Sequence, residues 1–291
     1  MEPIRLSEKD PVLTREDFAL FRDLIRREFG LLLKEDRRLT FHTRLVHRLC
    51  ILGFSTYRDY YNYIVSDGSR REMLNLISHL ANNETYFMRE KIQIDVFVNI
   101  LKDIKHRKIK DDRKEVRILS AGCSTGEEVY SINIALIESG LFSWGWDVRV
   151  FGIDVSGTAI RKARSATYTR NSFRMIGSYE DFVKRYFNID GDKYTLRGPY
   201  RRNTEFIQGN ILDPELFKGL KGIDIIFCRN VMIYMTDDGI QGTAKNFYDC
   251  LNDDGYLFLG TSESLLQKTD LFIPELREGV IVYRKNTLQN D

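Results

Sequence analysis

The run Ile118-Leu-Ser-Ala-Gly122-Cys-Ser-Thr-Gly126-Glu-Glu-Val-Tyr130 reads as a buried strand, a tight turn of small residues and the start of a helix. Small residues at such a turn let main-chain amides approach a ligand, and the helix N-terminus that follows favours an anionic group such as a carboxylate. A second apolar run, Val150-Phe-Gly-Ile-Asp154, ends in an acid about where a ribose diol needs a bidentate acceptor.

Several readings compete for this turn. A dinucleotide fold calls for Gly-x-Gly-x-x-Gly, a spacing that Gly122-Cys-Ser124-Thr-Gly126 does not complete. The same five residues match the Gly-x-Ser-x-Gly of a nucleophile elbow, but that fold needs a histidine after the serine. His42, His47, His79 and His106 all precede Ser124. These histidines read as surface or structural residues, with no metal-binding spacing among them. On the residues of the turn alone, a cofactor site and a plain strand-to-helix connection both remain open.

Outward from the turn, short apolar runs alternate with amphipathic stretches, the pattern of a parallel sheet covered by helices. Strands are expected over residues 116–120, 148–153, 205–209, 223–228 and 255–260, with helices over 127–138, 158–165 and 238–251. Residues 168–203 break the rhythm. They are aromatic, basic and punctuated by glycine, which predicts a small antiparallel insertion with a hairpin over 186–196.

Upstream, the pattern is helical from Thr14 to about residue 107. Phe18, Phe21, Leu24, Ile25 and Phe29 recur at helical spacing between a Thr14 cap and a Gly30 stop. A second helix is expected over 36–52, with an apolar stripe of Leu39, Leu45, Val46 and Leu49, and further helices over 57–65, 71–80 and 90–105. The polar run 105–115 reads as an exposed linker. The expected organisation is therefore a helical domain (1–107) and an α/β domain (116–291) carrying the insertion.

A formal charge of +2, from 44 basic and 42 acidic residues, gives no global field to draw the chain to nucleic acid or anionic lipid. Cys50, Cys123, Cys228 and Cys250 stand far apart, which argues for reduced thiols in a cytoplasmic protein rather than a disulfide framework or zinc ribbon. The N-terminal stretch, with Glu2, Arg5, Glu8, Lys9 and Asp10, lacks the apolar core of a secretion signal. No run approaches the roughly 20 apolar residues of a membrane span.

Three further segments, together with the glycine turn, carry a resemblance. Asn82-Asn83-Glu84-Thr85-Tyr86-Phe87-Met88-Arg89 is similar to the Asn-x-Thr-x-Phe-Phe-Arg segment of the chemotaxis receptor glutamate methyltransferases, the CheR family. The glycine turn resembles that family's Ala-Cys-Ser-Thr-Gly-Glu-Glu-Pro-Tyr-Ser. Phe227-Cys-Arg-Asn-Val-Met-Ile-Tyr-Met235 and Gly255-Tyr-Leu-Phe-Leu-Gly-Thr-Ser-Glu263 match two later motifs, and the likeness runs through nearly the whole chain. Val129 replaces a proline that is tolerated but not required in a first helical turn. Thr261 and Met88 replace a histidine and a phenylalanine.

The resemblance implies a Rossmann-like S-adenosylmethionine-dependent methyltransferase domain behind an all-helical N-terminal domain, with no metal and with S-adenosylhomocysteine as product. It implies cofactor contacts from Asn83, Thr85, Arg89, Gly122, Glu128, Asp154, Asn210, Ile211, Arg229 and Asn230. Physically, Asp154 suits ribose hydroxyls, Asn210 suits an adenine edge and Glu128 suits polar groups of the cofactor. Arg89 is the expected anchor for an acceptor carboxylate and Tyr234 a donor to it. The implied partners are methyl-accepting receptors, long helical bundles met at membrane arrays, with a basic face of Arg37, Arg38, Arg44 and Arg48 docking their acidic surface. His47 and Cys50 stand where the family has further arginines. In some members the inserted sheet binds a receptor's C-terminal peptide. For this chain that role and a simple lid both remain open, as does a cofactor-binding regulatory protein without turnover.

Overall fold

The structure, a computed structural model, describes residues 11–66 and 71–287. The charged stretch ending at Asp10, on which the expectation of no secretion signal rests, lies outside them.

Helix α1 (Arg15–Phe29) begins where the Thr14 hydroxyl accepts the Asp17 amide and stops at Gly30, whose φ of +63° is a left-handed cap. Helices α2 (Arg38–Leu52), α3 (Tyr57–Ser66) and α4 (Arg71–Leu80) complete a cluster built on Phe18, Phe21, Phe41, Leu45, Tyr57 and Tyr60. Leu39 does not belong to that cluster. It is 71% exposed, and Phe41 takes its place because the buried set of α2 is 41, 45, 46 and 49.

Helix α5 (Lys91–Lys110) corrects the linker. Residues 105–110 continue the helix, and the Lys108 ammonium is buried 2.7 Å from Asp224. Phe97 meets Phe227 edge-to-face across α5 and the sheet. The helix therefore packs with the α/β layers, and the helical cluster with its own core ends near Leu80. Polarity misled here because a charged run at a helix end can cover a buried acid as well as face water.

The chain then alternates: β1 (Glu115–Ala121), α6 (Glu127–Glu138), β2 (Asp147–Asp154) and α7 (Gly157–Ser165). The insertion follows as β3 (Thr167–Tyr168), α8 (Tyr179–Tyr186), β4 (Phe187–Asp190) and β5 (Lys193–Leu196), an antiparallel sheet in the order β3-β5-β4. Its helix α8 was not anticipated. Next come β6 (Thr204–Gln208), β7 (Ile223–Cys228), α9 (Asp237–Cys250) and β8 (Leu251–Leu259), then a closing hairpin of β9 (Phe272–Arg277) and β10 (Val280–Lys285).

The seven strands of the main sheet stand in the order β6-β2-β1-β7-β8-β10-β9, with β10 antiparallel to both neighbours. From β1 the chain winds outward one way to β2 and β6, then returns to start β7 on the other side. That reversal opens a crevice beyond the carboxyl ends of β1 and β7, where doubly wound sheets bind ligands. The expected strands are all present, and the fold is the expected doubly wound α/β domain with its helical and antiparallel additions. The closing hairpin is the addition that the strand expectations lacked.

Candidate functional site

At the tip of β1 the turn is nailed to the end of β2. The amides of Gly122 and Cys123 both donate to the Ile153 carbonyl, at 2.8 and 2.9 Å, and the Ser124 amide donates to Asp154 Oδ2 at 2.8 Å. Gly122 has φ +80°, and a Cβ there would sit 2.3 Å from the Val231 side chain. Only glycine lets the β1 turn and the loop after β7 come this close.

Asp154 is buried, and its second oxygen accepts the Ser156 amide at 2.8 Å. Burial pushes its carboxyl above the ordinary aspartate range, and the two amides pull it part of the way back. Each carboxylate oxygen keeps a lone pair for a further donor.

Glu128 and Arg229 form the floor of the crevice. Arg229 Nε donates to Glu128 at 2.7 Å, while Nη1 donates to the Arg89 carbonyl at 2.9 Å and to Gln93 at 3.2 Å. Ser120 donates to the other Glu128 oxygen. Asn230 follows at φ +60°, and its Oδ1 is buried with no hydrogen-bond partner among the described residues. Asn210 donates to the Glu28 carbonyl at 2.8 Å and accepts from the Leu212 amide, so its side chain already joins α1 to the loop after β6. One amide N–H and one lone pair are left for an adenine edge.

The segment before α5 forms the facing wall. The Ser124 hydroxyl holds the Asn83 carbonyl at 2.9 Å, and the Met88 amide donates to Ser131. Met88 and Glu90 adopt φ of +56° and +53°, as Ser124 (+51°) and Asn230 do on the opposite side. Ser124 and Asn230 thus line the crevice in left-handed conformations, and Met88 and Glu90 flank the lining residue Arg89, backbone strain of the kind found at ligand sites. Arg89 donates weakly to the Glu84 carbonyl and stands 5.5 Å from the Tyr86 ring centroid. Among the described residues no carboxylate lies within 4 Å of its guanidinium; Glu90 faces Arg229 instead, at 3.8 Å. Tyr234 is 44% exposed, and its hydroxyl accepts from Asn82 at 3.3 Å, which leaves its own proton free to donate.

These groups enclose one cavity of about 530 Å³, lined by Asn83, Thr85, Arg89, Gly122, Glu128, Asp154, Asn210, Ile211, Arg229, Asn230 and Tyr234. Its outer wall comes from the helical cluster through Ile25, Phe29, Phe41, Ile77 and Leu80. Of the four basic residues on and before α2, Arg37 and Arg44 line the mouth, and Arg38 does not. Arg48 is spoken for. Its guanidinium grips Glu72 at 2.9 and 2.5 Å, and Tyr60 and Asn75 donate to the same carboxylate. Burial alone would raise Glu72; these bonds and the Arg48 charge outweigh it and hold the carboxyl below the ordinary glutamate range.

Two contributors lie outside the expected set. Ser124 acts through its hydroxyl on Asn83, not as a nucleophile beside a histidine. Glu263 accepts four main-chain amides around the loop after β7. Both stand inside the quoted motifs, but only the folded chain shows what they touch. No group of three His, Cys, Asp or Glu side chains among the described residues could hold a metal ion, and no described helix is long and apolar enough to cross a membrane.

Comparison with known proteins agrees with this architecture. The family model for the CheR methyltransferase all-alpha domain matches residues 16–81, and that for the CheR methyltransferase SAM binding domain matches residues 83–278. Chemotaxis protein methyltransferase 2 of Vibrio cholerae is 30% identical over 284 residues, covering 96% of this chain and 96% of the relative. The chemotaxis protein methyltransferase of Borreliella burgdorferi is 30% identical over 256 residues, 87% of this chain and 89% of the relative. A third, chemotaxis protein methyltransferase Cher2 of Pseudomonas putida, is 29% identical over 255 residues, 86% and 90%.

Proposed function

The chain belongs to the CheR methyltransferase family, and from that premise we propose that it esterifies glutamate side chains on chemotaxis receptors with the methyl group of S-adenosylmethionine. The observation that carries this reading is the shared cavity. It gathers an uncommitted arginine, a tyrosine with a free proton and the buried acceptors of the glycine turn.

The residues present suit the cofactor. The volume lies within the range of small-molecule sites. Asn230 Oδ1 is a buried acceptor without a donor, matched to an ammonium or hydroxyl group. Asp154 would take the ribose hydroxyls, and the amides at the start of α6 a carboxylate. When bound, S-adenosylmethionine supplies an electrophilic methyl on a sulfonium.

The acceptor needs no general base. A glutamate carboxylate, with an ordinary pKa near 4.3, is already ionised at pH 7. The work of the chain is alignment and exclusion of water. Arg89 holds one carboxylate by its fork of N–H groups, Tyr234 donates to it, and a lone pair is left directed at the methyl. Arg229 positions both halves, since it binds Glu128 of the cofactor side and the main chain of Arg89.

Receptor docking falls to the basic mouth. Arg37 and Arg44 are exposed there, with Arg38 beside them, and their charge complements an acidic helical bundle. Such a protein works in the cytoplasm and meets membrane receptor arrays transiently. The test is incubation with methyl-labelled cofactor and receptor-bearing membranes. Base-labile methyl ester on the receptor is the expected result. Label on nucleic acid or small molecules would overturn the acceptor, and cofactor binding with no transfer at all would favour a regulatory protein without turnover.

A further inference from the structure

The loop that carries Asn230 and Tyr234 has little regular structure of its own. It leaves β7 through a left-handed residue and makes a single short turn over Met232–Tyr234. Main-chain amides in such a loop need acceptors from elsewhere. One side chain supplies them. Glu263 Oε2 accepts the amides of Asn230 at 2.6 Å and Gly260 at 2.7 Å, and Oε1 accepts those of Val231 at 2.9 Å and Ile233 at 3.2 Å. No cation lies within 4 Å of this carboxylate among the described residues, so four peptide dipoles balance its charge. Gly260 is shaped for the contact, since a Cβ there would lie 2.7 Å from Glu263 Oε2 and 3.0 Å from the Asn230 amide.

We infer that Glu263 is a positioning residue for methyl transfer: its carboxylate fixes the β7 loop so that Asn230 faces the cofactor side of the cavity while Tyr234 faces the acceptor. The inference rests on the function proposed above for its effect on turnover, but not for its effect on the loop. The charge and both oxygens matter. A glutamine would keep the shape and present an NH₂ to two amide donors, so that donors would face donors on one side of the fork. An aspartate keeps the charge but loses the reach of one methylene.

The test uses the full chain with Glu263→Gln and Glu263→Asp, and three measurements. Hydrogen exchange of the peptide spanning residues 229–236 reads the loop without any assay of activity. About tenfold faster exchange there, with the rest of the sheet unchanged, is expected for Glu263→Gln. Receptor methylation should fall roughly 100-fold in kcat, the scale of a misplacement near 1 Å. A cycle with Tyr234→Phe gives the decisive reading. If Glu263 acts through the loop, the loss in the double variant should fall clearly short of the product of the two single losses. Unchanged loop exchange, or a loss fully multiplicative with that of Tyr234→Phe, would overturn the inference. If Glu263→Gln does not fold, the same readings on Glu263→Asp decide it. A wild-type protein inactive on receptors would sink the proposed function and still leave the exchange measurement to judge Glu263.

Discussion

Two arginines border the same cavity and are held in opposite ways. Arg229 on the floor is 1% exposed in its side chain, with Nε on Glu128 and Nη1 shared between a carbonyl and Gln93. Arg89 on the wall has one long bond to a carbonyl and a neighbouring ring. The floor spends its charge inside the protein, and the rim keeps its charge for a ligand. The same contrast recurs on α2, where Arg48 is locked to Glu72 while Arg44, one turn earlier, reaches no carboxylate among the described residues and donates to the Leu80 carbonyl. An arginine's role here follows from whether a carboxylate already occupies its fork.

The largest effect is expected from Arg229→Ala. It strips the half-buried Glu128 of its countercharge, and since removal of one partner from a fully buried pair costs about 3–5 kcal/mol, a loss toward the lower end of that range is expected. Thermal or denaturant unfolding should show that loss even without cofactor. Intact stability would mean that the floor is not structural. Arg89→Ala should do the reverse. Removal of an uncommitted anchor at the reacting group is expected to lower kcat about 10²–10³-fold with unfolding unchanged. Near wild-type turnover would remove Arg89 from the mechanism.

How far these roles were legible in the sequence depends on where each residue's partner lies. The Thr14 and Gly30 signals bound α1 because a cap and its partner sit within one turn of chain. The glycine turn and Asp154 were readable as motifs that end two apolar runs, although the Ser124 amide and the Asp154 carboxylate that join them are 30 residues apart. Glu263 was not, since its partners are featureless amides, three of the four of them some thirty residues upstream. Arg48 read as surface charge because nothing in α2 announces that α4 will bring Glu72 against it. No strand was expected over the β9-β10 hairpin, and Pro274 is tolerated within β9 because that strand is an edge. Motif identity located the site, and long-range contacts assigned the work within it.

A smaller effect separates the two arginines of α2. Arg44→Glu should raise the receptor concentration needed for half-maximal methylation roughly tenfold, as reversal of a rim charge weakens steering. Cofactor affinity should move much less. Arg48→Glu should instead lower stability, because it places two carboxylates together where Glu72 is buried. Equal loss of receptor and cofactor binding in Arg44→Glu would mean that this arginine, too, belongs to the scaffold.

The smallest effect concerns Glu127, at the first turn of α6, which is buried and accepts from Thr125 at 2.6 Å and Ser172 at 2.9 Å. Through Ser172, whose carbonyl accepts the Phe87 amide, it ties the insertion to the wall that carries Arg89. Burial raises its carboxyl above the ordinary range, and the two hydroxyls only partly offset that. The folded chain therefore keeps this proton to higher pH than the unfolded chain, where the pKa is near 4.3. Between the two values the folded state binds more protons, so stability falls as pH rises through that window and falls no further above it. Glu127→Gln has no proton to lose, and either hydroxyl can rotate to suit an amide. The difference in Tm between variant and wild type should grow in favour of the variant as pH climbs from about 4 toward neutrality. Parallel curves would show that the carboxylate is already ionised in the folded protein, and that the wall behind Arg89 is held by a charge rather than by a neutral acid.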